Sequence, residues 1–152
     1  MNKKWAFTFI ELLIVIIIIG VLSVLAVPRF KNTFDSLQLR DSAKDIYYLL
    51  QYLQASAVAQ SKIFCLNIDT EHGRFQAVYW EGEEGFKNLE NRFGKVYSVP
   101  NGINVTVSPV DKTNICFYPD GNTDKTTITF ENKQKDVVSL SVKGTTNEIH
   151  FK

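Results

Sequence analysis

The sequence is poor in the residues that most catalytic or metal-dependent chains need. It holds two cysteines, two histidines, one methionine and four prolines. Neither cysteine has a CxxC partner, and His72 and His150 stand apart with no ligand at metal spacing, which excludes the common zinc and thiol-redox motifs. No serine sits in a glycine elbow, and no glycine-rich loop is built to cradle a phosphate. The expectation is a chain that is not an enzyme and holds no cofactor and no metal. A field of one sign is also missing, since 17 basic residues face 16 acidic ones, so nothing global draws in nucleic acid or an acidic substrate. Arginine, the commonest base reader, is absent after Arg92. Lys125, Lys133, Lys135, Lys143 and Lys152 could line a phosphate-contacting edge, but Asp124, Glu131, Asp136 and Glu148 dilute it. Nucleic acid is therefore disfavoured as a partner.

Charge is scarcest near the start. From Phe7 to Val27 the only charged residue is Glu11. An unbroken apolar run covers Leu12 to Leu22 and resumes after Ser23 as far as Val27, before Pro28. At about 1.5 Å per residue, a helix over this stretch matches the hydrocarbon thickness of a bilayer. A transmembrane segment from Leu12 to Val27 is expected. A carboxylate in such a segment costs on the order of 2.5–3.5 kcal/mol at the helix centre and less near an end, so Glu11 is read as functional. Lys3 and Lys4 hold the leading residues in the cytoplasm and send the rest outward. A secretory signal peptide cut after Val24-Leu25-Ala26 is the rival reading, but it would carry Glu11 inside its apolar core.

Lys3-Lys4-Trp5-Ala6 followed by Phe7-Thr8-Phe9-Ile10-Glu11-Leu12-Leu13 closely resembles the class III signal of type IV pilins and type II secretion pseudopilins. The resemblance implies a leader peptide over residues 1–6, cleaved by a prepilin peptidase between Ala6 and Phe7. It implies N-methylation of Phe7 and a role for Glu11 in assembly by charge pairing. Ala6 stands where the family usually has Gly, and Phe9 where it has Leu. The partners implied are the peptidase, other pilin-like subunits and an inner-membrane assembly platform. The place implied is the bacterial inner membrane, crossed once, with the C-terminal domain on the outer side and incorporated into a pseudopilus or pilus.

Past Pro28, the residues Leu39, Ala43, Ile46, Leu50, Leu53 and Ala57 are spaced alternately four and three, one apolar stripe of an amphipathic helix reaching about Gln60. After Lys62 the pattern becomes that of strands: Ile63–Ile68, Arg74–Trp80, Lys95–Val99, Ile103–Val107, Ile115–Tyr118, Thr126–Phe130, Val137–Val142 and Glu148–Phe151. Turn signals recur at Pro100-Asn101-Gly102 and Pro119-Asp120-Gly121. Residues 81–94, with three glycines and four glutamates, read as an exposed loop. The fold class expected is α+β: a long N-terminal helix, transmembrane in its first half and amphipathic in its second, packed against a C-terminal antiparallel sheet. The domains expected are residues 1–6, 7–27, 28–62 and 63–152. Ile115-Cys116-Phe117-Tyr118-Pro119-Asp120-Gly121 and the strands after it resemble the GspH/FimT-type pseudopilin domain. This implies a minor pseudopilin of a type II secretion system, or alternatively a FimT-like minor type IV pilin serving pilus assembly or DNA uptake.

Two local patterns remain open. Cys65 and Cys116 both fall in strand-like runs, and a disulfide between neighbouring strands and two buried thiols are both consistent with that. Asp120, Asn122, Asp124 and Glu131 have calcium-loop spacing, but Lys125 stands where that loop needs glycine. A hairpin with solvated polar side chains is the expectation there.

Overall fold

A computed structural model describes residues 8–110, 112–143 and 146–151, with side chains over 8–23, 33–110 and 112–143. The chain divides into two compact units, Met1–Asp35 and Ser36–Lys152. Helix α1, Phe9–Gln60, is 52 residues long and contributes to both. It ends where sequence periodicity predicts, and the next residue, Ser61, takes a left-handed conformation at φ 52° that stops the helix. In the first unit the apolar side chains from Phe9 to Leu22 are all exposed. Ser23, the hydroxyl inside this run, donates to the carbonyl of Ile19 at 2.7 Å, so it leaves no unmade hydrogen bond.

The second unit is helix plus two antiparallel sheets. Strands β1 (Phe64–Asp69), β2 (Arg74–Trp80), β3 (Phe86–Asn88), β4 (Tyr97–Ser98) and β6 (Asn114–Phe117) form one, in the order β3-β2-β1-β6 with β4 also on β2. Strands β5 (Asn104–Ser108), β7 (Thr126–Glu131), β8 (Val137–Lys143) and β9 (Thr146–Phe151) form the other, in that order. The expected stripe Leu39, Ala43, Ile46, Leu50, Leu53 and Ala57 is buried throughout, and Leu49 widens it. Alternate residues of both sheets meet it: Leu66, Phe75, Ile115 and Phe117 from the first, Val107, Ile128, Phe130 and Leu140 from the second. One core thus serves three elements, as strand alternation and helix periodicity together require.

The α+β class stands, and three details differ from the sequence reading. The single expected sheet is two. The stretch 81–94 is not all loop, because Phe86–Asn88 pairs with β2 and Leu89 is buried. Its only apolar residues are Phe86, Leu89 and Phe93, too few to show a period. Finally, the expected strand Lys95–Val99 shrinks to Tyr97–Ser98, shortly after a 3-10 turn over residues 92–94.

Cys65 and Cys116 face each other across β1 and β6 in register and form a disulfide. This settles the open alternative in favour of the bond. It closes a loop with a sequence separation of 51, and in the chain-entropy picture a loop of that size stabilises by about 4 kcal/mol. Replacing both cysteines with alanine is expected to lower the free energy of urea unfolding by about that amount while the strand pairing persists.

A polar knot ties the helix to the β7–β8 turn. Ser36 donates to Asp136 at 2.6 Å and the Asn132 amide donates to it at 2.9 Å. Asn132 is itself buried and accepts the backbone N–H groups of Gln134 and Asp136. The Ser36 hydroxyl first, then Asn132, hold the Asp136 carboxyl below its ordinary 3.8. A depressed carboxylate pKa stabilises the fold above the unfolded value, and that contribution is lost as pH falls through the folded one. Asp136→Asn is expected to flatten the acid limb of stability below pH 3.8, leaving the part owed to Asp69, Glu81 and Asp120, which are also held low. Urea unfolding of both proteins on the acid side measures this.

Candidate functional site: the helix start and its outward face

The sequence Thr8-Phe9-Ile10-Glu11 opens α1 as a reciprocal cap. The Glu11 backbone N–H donates to Thr8 Oγ1 at 3.3 Å, and the Thr8 N–H donates to Glu11 Oε2 at 3.3 Å. A Thr three residues before a Glu satisfies two of the helix's orphan donors, and it puts a negative charge at the positive end of the helix dipole. This capping role for Glu11 was legible in the Ser/Thr-x-x-Glu spacing, yet the sequence reading gave the carboxylate only an assembly role. The cap occupies one carboxylate edge, and the pair is exposed, so an incoming cation can still reach it. Ala6 and Phe7, the expected cleavage and methylation sites, lie outside the described residues.

The expected transmembrane stretch from Leu12 to Val27 is helical, but side chains 24–32 fall outside those described. Among the described residues no helix is long and apolar enough to cross a membrane.

A second feature lies in the other unit. Opposite the buried stripe, Leu37, Asp41, Lys44, Tyr48, Gln51, Ala55 and Val58 repeat at alternating spacings of four and three, and all are exposed. Leu37, Tyr48 and Val58 each leave more than half their surface in solvent. The signal for this face was in the sequence, offset by two residues from the buried stripe.

The remaining expected sites separate. Asp120 accepts the backbone and side-chain N–H groups of Asn122 at 3.0 and 2.6 Å, an Asx turn. Asp124 accepts the Cys116 N–H and pairs with Lys112, and Glu131 pairs with Lys135 at 2.7 Å. Three of the calcium-spaced residues thus have local partners of their own, and among the described residues no group of acidic, His or Cys side chains could hold a metal. His72 pairs with Asp69 at 2.8 Å on the exposed β1–β2 turn, and the side chain of His150 lies outside those described. In the 81–90 stretch, Glu81 pairs with Lys62 at 2.9 Å and Glu84 with Lys87. The Lys62 ammonium, and after it the Tyr79 hydroxyl, hold the Glu81 carboxyl below its usual value.

The prokaryotic N-terminal methylation motif matches residues 1–27. No curated protein matches the sequence. Among solved structures, the fold is similar to the minor pseudopilin EpsH from the type 2 secretion system of Vibrio cholerae, at 14% identity and TM-score 0.68, covering 75% of this chain and 97% of that one. It is similar to E. coli GspH at 9% identity and TM-score 0.60, covering 76% and 89%. It is also similar to the type IV minor pilin FimU of Pseudomonas aeruginosa strain PAO1, at 13% identity and TM-score 0.55, covering 78% and 90%. At these identities the likeness is one of fold. The chain thus carries a prepilin-type methylation motif over residues 1–27 and, behind it, an α+β fold like that of GspH and EpsH.

The cap can be tested apart from any assembly. Thr8→Ala is expected to cost the first turn about 1 kcal/mol. Faster amide exchange at Ile10 and Glu11 in detergent micelles, with exchange in the β domain unchanged, is the measurement.

Proposed function

We propose that this chain is a structural, non-enzymatic minor pseudopilin of a type II protein secretion system. A prepilin peptidase cuts between Ala6 and Phe7, and the new Phe7 amine is methylated. The run from Leu12 to Val27 anchors the subunit in the inner membrane, with the β domain on the outer side, until the assembly platform draws it into a periplasmic pseudopilus among other pilin-like subunits. The observation that carries this reading is Glu11, a lone carboxylate at the mouth of a bare apolar helix, directly behind a prepilin-type leader motif. In lipid, where the dielectric is low, the amine of one subunit's Phe7 and the Glu11 carboxylate of a neighbour attract strongly, and each lowers the other's burial cost. The exposed face from Leu37 to Val58 gives the same helix a second row of contacts for a neighbouring subunit.

A minor type IV pilin is the second reading, favoured by the likeness to FimU. It uses the same leader and the same charge pair, and differs in the machine that receives the subunit. Co-purification with secretion pseudopilins or with pilus subunits separates the two.

Glu11→Gln is the informative substitution. A glutamine can keep the cap with Thr8 but cannot pair with an amine as an anion. N-terminal sequencing is expected to show methylated Phe7 in both proteins, while the variant loses co-purification with pilin-like subunits from membranes. Wild-type recovery of those subunits by Glu11→Gln would defeat the charge-pairing proposal. A mature N-terminus at Val27 would defeat the whole reading.

A further inference from the structure

Two exposed features of the second unit complement each other in shape and charge. The first is a hollow of about 730 Å³ beside Tyr48 of α1. Tyr48, Phe93, Val96 and Tyr97 give it apolar walls, Arg92 and Lys95 bring two positive charges, and Asp45 brings one negative charge. Tyr48 and Val96 are more than half exposed, and exposed apolar surface rimmed by polar groups marks a contact site. Among the described residues, neither Arg92 nor Lys95 pairs with a carboxylate. The floor of the hollow is preformed. Phe93 stacks on Tyr52 at 3.9 Å between ring centroids, and the Arg92 guanidinium lies 4.6 Å over the Phe93 ring. The Asn91 amide donates to the Tyr52 hydroxyl at 2.7 Å while its oxygen accepts the Phe93 N–H at 2.9 Å. At Gly94 a Cβ would overlap the Leu89 carbonyl oxygen, so only glycine lets the segment fold this tightly on itself.

The second feature is the tip of the β2–β3 hairpin. The Glu81 N–H donates to the Gly85 carbonyl at 2.9 Å and closes the turn. At its base the exposed rings of Trp80 and Phe86 meet edge to face at 5.0 Å. Glu84 pairs with Lys87, whereas Glu83 is exposed and pairs with no cation among the described residues.

We infer that the hollow receives the β2–β3 tip of a second copy of this chain, with Phe86 against Tyr48 and Val96 and the Glu83 and Glu84 carboxylates facing Arg92 and Lys95. Charge selects this occupant. Outside α1, the exposed large aromatic side chains among the described residues are Trp80, Phe86 and Tyr118. Tyr118 stands near Asp120, whose oxygens already accept both Asn122 donors. The 80–86 turn instead joins aromatic rings to a carboxylate with no partner, the complement of a hollow that joins aromatic rings to two unpaired cations. Both halves are ordered before they meet, which keeps the cost of association low. The rim charges fix orientation and reject wrong registers, since like charges brought together cost several kcal/mol.

Tip and hollow are different surfaces, so the contact is heterologous. The Trp80 N–H donates to the Ile63 carbonyl at 2.8 Å, which sets the tip at the end of α1. The hollow flanks Tyr48, which precedes the last helical residue, Gln60, by about 18 Å of helix rise. Each copy in contact therefore keeps one tip and one hollow open at different heights, and copies add as an open row displaced along α1 instead of closing as a pair. The row gives the outward face of α1 a partner, since Tyr48 belongs to both, and to that extent it rests on the stacking proposed above.

Charge reversal tests this in the full chain in detergent. Arg92→Glu with Lys95→Glu makes the hollow acidic, and Glu83→Lys with Glu84→Lys makes the tip basic. Each double variant alone sets like charges together, and each is expected to raise the self-dissociation constant about tenfold or more by sedimentation equilibrium. An equal mixture of the two is expected to return to near the native value, because every hollow then meets a tip of opposite sign. All four positions are exposed, and unchanged thermal unfolding confirms that the variants fold. In native protein mixed from isotopically light and heavy chains, carbodiimide is expected to join Lys95 of one chain to Glu83 or Glu84 of another. A mixture as weakly associated as its components overturns the proposal, as does the absence of any inter-chain link at Lys95. Association that neither reversal weakens, the signature of contact through the apolar helix alone, also overturns it. Neither variant alters the leader or Glu11, so N-terminal methylation and the Glu11→Gln comparison hold or fail separately.

Discussion

The fold depends on one constraint, that a single helical stripe must close two sheets at once. Leu50 and Leu53 are wholly buried, as are Phe75 and Phe117 of the first sheet and Ile128 and Phe130 of the second. Phe75 and Phe130 approach each other at 6.0 Å between ring centroids, so the sheets touch directly where the helix leaves room. Each buried Leu or Phe is worth roughly 1.5–3 kcal/mol of transfer free energy. A sheet without the helix would lose much of its inner cover. This explains why the helical period from Leu39 to Ala57 is so regular: a strict repeat of four and three is the only spacing that keeps one line of side chains on a fixed contact.

How far the sequence could be read follows from which residues had a period. The buried stripe and the strand cores could be read because alternation and helical spacing are both set by burial. The division into two sheets could not, because nothing in β5 or β6 says which neighbour each strand takes. Long-range pairing is decided by the turns and by the whole core, and no short window contains it. Phe86–Asn88 was invisible for a different reason: it is three residues between glutamates, held by pairing with Val78, Tyr79 and Trp80. The cysteine bond was open in sequence because it depends on the β1–β6 register, and fixing that register also fixed the bond. At the candidate site, the leader motif and Glu11 were legible, but the Thr8 cap was overlooked although its spacing was present.

On the proposed reading, Glu11 has two roles that pull on the same atoms. As a cap it neutralises helix N-terminal donors, an effect of about 1 kcal/mol at an exposed helix end. As a charge partner its worth depends on the dielectric around it, and at an effective dielectric constant near 20 a contact at 4 Å reaches about 4 kcal/mol. The cap also fixes where the carboxylate sits, close to the chain's beginning and in line with the helix axis. Preorganisation of this kind lowers the ordering cost of any later ion pair. The two roles are thus additive in effect: the local hydrogen bonds hold ready the group that the longer-range attraction uses.

On the proposed reading, the outward face of α1 suits contacts that form and release. A permanent helix–helix seam would place apolar residues at every position of the repeat. Here Leu37, Tyr48, Ala55 and Val58 alternate with Asp41, Lys44 and Gln51, and all are exposed. Interfaces of mixed composition match the surfaces of proteins that exist both free and bound, whereas obligate ones resemble a core cut in half. On the proposed reading, a subunit anchored alone before it joins others is served by such a face, apolar enough to dock and polar enough to be solvated until it does.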